Sequence, residues 1–115
     1  MKRNYFILLM FAFATIFSSC EEANPEGVIT VIDTEGRLVK NAKVEIYSKP
    51  ANTILEDSDF TGTDGKTYHK FTFEGTFNVF VERENYFNFD RLVGEGELKL
   101  SKDEVIEITI ELHLP

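Results

Sequence analysis

From Gly27 onward, apolar and polar residues alternate in short runs with a period of two. That is the pattern of strands that press one face into a core and wet the other. The last run is the clearest: Ile106, Ile108, Ile110, Leu112 and Leu114 alternate with Glu107, Thr109, Glu111 and His113. Val28-Ile29-Thr30-Val31-Ile32 is β-branched throughout, which suits a pleated surface. Ala42, Val44 and Ile46 share one face of a run that ends at Tyr47. His69, Phe71 and Phe73 share another, as do Phe77, Val79 and Val81, and Leu98 with Leu100. Asp33-Thr34-Glu35-Gly36 and Thr63-Asp64-Gly65-Lys66 read as turns. The stretch from Lys49 to Asp59 is polar, carries Pro50, and reads as a loop holding a short strand. The reading is an all-β sandwich of about seven antiparallel strands over residues 27–115.

The first residues break this pattern. Lys2 and Arg3 precede Tyr5–Phe17, thirteen residues without a charge. That is the length of a signal-peptide apolar region and short of the roughly 20 residues a permanent membrane helix needs. Ser18-Ser19-Cys20 follows. It resembles the lipobox of bacterial lipoproteins, with Phe17 where the usual pattern has Leu. The resemblance implies a signal-peptide helix over residues 1–19, cleaved to leave Cys20 as the lipidated first residue, and an acidic tether over 20–26. The other reading is an ordinary secretory signal beside a lone thiol. Glu21 and Glu22 resemble an export signal to the outer face of the outer membrane; the plainer reading is a solvated linker.

This changes the meaning of the composition. Removing 19 of 115 residues leaves 96, enough for one domain with a modest core. Taking Lys2 and Arg3 from 12 basic residues leaves ten against 20 acids, a net charge of −10. Such a balance argues against nucleic acid and against anionic lipid head groups. With Cys20 the only cysteine, no disulfide can form within one chain.

Three blocks in order resemble the carboxypeptidase regulatory-like domain family, an Ig-like, prealbumin-like (transthyretin-like) sandwich. They are Val31–Val44 with its acidic-glycine turn, Thr63-Asp64-Gly65-Lys66 before an aromatic strand, and Glu74–Val81 followed by Asn85-Tyr86. The middle turn is shorter than the family pattern, and Asn85 stands where glycine is usual. The resemblance implies a non-catalytic appendage. Collagen-adhesin B-type repeats, a related class, cross-link a first-strand Lys to a last-strand Asn or Asp. Val28–Ile32 and Ile106–Leu114 carry neither, which excludes that bond.

Few residues invite chemistry. Asp57, Asp59 and Asp64 form the candidate calcium ligands, in Asp57-Ser58-Asp59-Phe60-Thr61-Gly62 and the turn after it. The twelfth position of a calcium loop would be Tyr68 rather than Glu, and the plainer reading is a polar turn entering a strand. His69 and His113 are the only histidines, His69 set for packing, so no zinc site is expected. Ser48, Ser58 and Ser101 lack a nucleophile motif, and Glu82, Glu84, Glu95 and Glu97 read as solvated strand edges. Tyr86, Phe87 and Phe89 stand in an aromatic loop, Asn85–Asp90, as candidate ligand contacts. Against that stands a packing role in which Tyr86 or Phe87 caps the core, leaving at most one ring free. The expectation is a lipid-anchored outer-membrane protein, without a cofactor or catalysis, whose sandwich is a binding or spacer module contacting an envelope protein partner. The alternative is a glycan-binding surface lipoprotein using the Tyr86–Asp90 loop.

Overall fold

The computed structural model describes residues 24–48 and 54–115. The expected signal segment, Cys20, Glu21, Glu22 and the beginning of the Lys49 stretch lie outside the described residues. Seven strands follow one another: β1 (Glu26–Ile32), β2 (Lys43–Ser48), β3 (Leu55–Phe60), β4 (Lys66–Lys70), β5 (Gly75–Tyr86), β6 (Phe89–Leu100) and β7 (Val105–Glu111). They form two sheets in a sandwich-like arrangement, one of order β4-β1-β7 and one of order β3-β2-β5-β6.

The alternation selects the core. Ile29 and Val31 of β1, Val44 and Ile46 of β2, Val79 and Val81 of β5, Leu98 and Leu100 of β6, and Ile110 of β7 are buried together. Burying one such side chain contributes about 1.5–3 kcal/mol. Their outward neighbours include Glu45, Phe80, Glu95 and Glu97, none of them buried.

Four details differ from the sequence reading. The sheets are not wholly antiparallel: β1 and β7 pair in parallel, Glu26 opposite Val105 through Ile32 opposite Glu111. Alternation fixes which face is wet and leaves strand direction open. The polar stretch yields a full edge strand, β3, pairing with β2 from Lys43–Phe60 to Tyr47–Leu55. The Asn85–Asp90 loop is a hairpin tip, with Tyr86 opposite Phe89 and only two residues between. Of the three residues placed on one face of β4, His69 and Phe71 are buried but Phe73 is exposed, because the strand stops at Lys70.

The two sheets meet along two seams. At one, β6 meets β7: Val93 and His113 exchange two backbone hydrogen bonds, each 2.8 Å. Gly94 makes room there, since a β-carbon on it would lie 2.7 Å from Ile110 Cγ2 and 2.9 Å from the Glu111 carbonyl. At the other seam β3 meets β4 through a polar link described below. The two ends also differ. The entry end, where β1 starts, holds Pro25, Phe71 and the backbone bond from Glu26 to Glu104. The tip end, where β1 stops, holds the Asp33 turn, the β5–β6 tip and the tail after β7.

Candidate functional site

The tip end is built around Asp33. Its carboxylate Oδ1 accepts hydrogen bonds from the backbone N–H of Glu35 and of Arg37, both 2.9 Å. Oδ2 accepts from Arg37 Nε at 2.7 Å and from the Tyr86 hydroxyl at 2.9 Å. Burial opposes ionisation of Asp33, but these four donors outweigh it and hold the carboxyl at about 2, below its usual 3.8. Burial and the bond to Asp33 in turn push the Tyr86 hydroxyl up.

This anchor explains where the aromatic residues go. Tyr86 takes the packing role: it is half-buried against the core and spends its hydroxyl inside the chain. Phe87 and Phe89 stay out, 68% and 43% exposed. Two rings are therefore free where the sequence allowed one, because a two-residue tip cannot fold Phe87 back onto the sheet. The Phe87 ring sits edge-on to Tyr86, centroids 4.5 Å apart, and beneath the Arg37 guanidinium at 4.6 Å. Phe87 has φ 52°, and Asn85 the same. A left-handed conformation costs an L-residue about 1–2 kcal/mol, and a bulky aromatic is an unusual occupant.

Beside the rings is a cavity of about 330 Å³. Its apolar lining comes from Phe89, Leu92, Leu112 and Leu114, and its polar lining includes Asp33, Thr34, Glu35, Arg37 and His113. Tyr86 and Phe89 were read as ligand contacts and line it, while Phe87 projects next to it. The sequence marks Asp33 only as a turn residue and gives Arg37 no role of its own. The Asx pattern in Asp33–Gly36 signals the turn, but nothing local signals a partner 53 positions away.

The candidate calcium ligands sit on β3, which holds Asp57 and Asp59, and on the turn after it, which holds Asp64. Asp59 Oδ1 accepts from the Phe60 N–H at 2.8 Å. Asp64 accepts from the Lys66 N–H and from the Tyr68 hydroxyl, which holds its carboxyl below the usual range. Among the described residues no group of three or more His, Cys, Asp or Glu side chains is placed to hold a metal ion.

Asp57 has a different task. Its Oδ2 lies 2.7 Å from His69 Nδ1, and His69 Nε2 lies 2.7 Å from the Thr67 hydroxyl. This joins β3 of one sheet to β4 of the other. Hydroxyl, imidazole and carboxylate in series is the connectivity of a nucleophile, its base and the group that orients it. Here Thr67 is only 1% exposed, so the hydroxyl is closed to a substrate and the series works as a seam. Thr67 and His69, two apart on a strand, share a face in the sequence; Asp57 could not be read as their partner.

No known family matches the chain, and no curated protein resembles it.

Proposed function

We propose that this chain is a lipid-anchored cell-envelope protein whose sandwich is a non-catalytic binding module of the carboxypeptidase regulatory-like kind. One observation carries the reading: two exposed rings beside an apolar cavity stand at the end opposite the one where the chain enters the sandwich. Cys20 precedes Pro25 by five positions, a reach of about 17 Å. β5 has 12 residues, so the tip stands roughly 40 Å from the entry end. A lipid on Cys20 would hold the entry end at a membrane and leave the aromatic tip facing outward. Two acyl chains or more hold such an anchor stably.

A protein partner fits the tip better than a glycan does. Sugar recognition needs several polar groups free to meet hydroxyls; Asp33, Arg37 and Tyr86 here are bonded to one another, which leaves that task to Thr34, Glu35 and His113. The test is alkyne-fatty-acid labelling of cells expressing the tagged full chain, followed by cross-linking and mass spectrometry. Label on the wild type but not on C20A, with one dominant envelope partner captured, is the expected result. An unlabelled chain sinks the anchor, and strong binding on a glycan array sinks the protein partner.

A further inference from the structure

The reading above leaves the partner's chemistry open, and the tip end restricts it. Resting on that reading, we propose that the cavity between the Asp33 turn, the hairpin tip and the tail receives one apolar side chain carried on a basic segment of a partner protein.

Size comes first. A cavity of about 330 Å³ is at the small end of ligand sites, suited to a single anchoring side chain. Polarity comes next. Both Asp33 oxygens already accept two hydrogen bonds each, and Tyr86 donates its proton to one of them. A hydroxyl placed against Asp33 and Tyr86 would displace water without regaining its hydrogen bonds, whereas an apolar group there forfeits nothing, and the remaining polar lining, Thr34, Glu35 and His113, rings that spot. Leu112 is buried beneath, while Leu114 and Phe89 are exposed beside it, where a guest would cover them. An apolar anchor in a pocket ringed by polar groups is the form of an interface hot spot.

Charge selects the sequence around that anchor. Asp33 and Glu35 line the cavity against one guanidinium, Arg37, and the chain after residue 19 carries −10. Basic residues on the partner would be steered in and acidic ones kept away. Backbone geometry points to the same surface. Phe87 keeps a left-handed φ that Asn or Gly would hold at lower cost, and its ring is mostly in solvent. Strain of this kind persists where a side chain must be presented.

The probe is a set of fluorescein-labelled pentapeptides titrated with the full chain in detergent and read by anisotropy. Lys-Lys-Phe-Lys-Lys should bind tenfold or more tighter than Lys-Lys-Ser-Lys-Lys, and more tightly than Glu-Glu-Phe-Glu-Glu. F89S and L114S, both at exposed positions, should lose that tenfold preference while keeping the wild-type melting curve. Equal affinity for the Phe and Ser peptides overturns the apolar anchor. A preference unchanged by F89S and L114S overturns the site, and displacement of the peptide by an oligosaccharide assigns the tip to glycans instead. Fatty-acid labelling of Cys20 reports the anchor separately, so loss of either result leaves the other legible.

Discussion

At the entry end Phe71, Phe73 and Phe77 lean on one another, with ring centroids 5.0, 5.8 and 6.4 Å apart, and Phe71 and Phe77 are buried. At the tip end Tyr86 packs inward while Phe87 and Phe89 remain in solvent. Composition does not separate the two trios; backbone does. β4 stops at Lys70, and the four residues before β5 turn Phe71 back across the end of the core. The tip has two residues between paired strands, which leaves Phe87 beyond the end of the core, and Phe89 opens β6 with its ring outside the core. Aromatic residues are thus buried in the fold at one end and left in solvent at the other.

The sharpest way to break this contrast is to truncate one ring at each end. F77A should cost about 3–5 kcal/mol of stability, the toll of emptying a large buried site. F89S should stay within about 0.5 kcal/mol of wild type, as exposed positions do. Urea denaturation of both variants checks this, and comparable losses would dissolve the distinction.

The next largest effect belongs to Asp33, the one buried acid on which the tip is built. D33N removes the charge and one acceptor oxygen from four donors, and should cost about 2–4 kcal/mol. Because the folded state holds the Asp33 carboxyl at about 2, below its usual 3.8, protonation favours the unfolded chain. Its contribution is therefore complete above about pH 4 and fades as pH falls through 2. Melts at pH 7, 4 and 2 should show that loss in the wild type, and D33N should lack this component.

The smallest effect tests strain. F87N places a residue that tolerates φ 52° where Phe now stands. Stability should change by less than about 0.5 kcal/mol, relief of strain offsetting the lost ring contacts. Pentapeptide affinity should nevertheless fall. A stability loss above 2 kcal/mol would mean that Phe87 belongs to the fold after all.

Much of the architecture was legible because alternation is a local signal: Val28–Ile32 and Ile106–Ile110 declared their strands by residue type alone. What stayed hidden depends on distant partners or on unusual local chemistry. β3 carries Glu56, Asp57 and Asp59 among its six residues, so the sequence offers only a short strand inside a loop and not its bounds, although charges suit an edge strand. The tip lacks the glycine that announces a two-residue hairpin: Phe87, with a positive φ, holds the first turn position, where the Gly-X turn type has glycine. The aromatic residues of the candidate site were visible in sequence. Their supports were not, since Asp33 meets Tyr86, and Asp57 meets His69, only after the sheets close.

The parallel pairing of β1 with β7 sets an order of events. β1 is the middle strand of its sheet, and one of its two partners is the last strand made. Until residues 105–111 arrive, half of the hydrogen-bonding edge of β1 has no strand beside it, and the buried face of Ile29 and Val31 lacks its neighbour Ile110. Contacts so far apart in sequence slow folding to the range of milliseconds to seconds. The sheet of β3, β2, β5 and β6 needs nothing from β7, so the two halves of the sandwich are completed at different points along the chain.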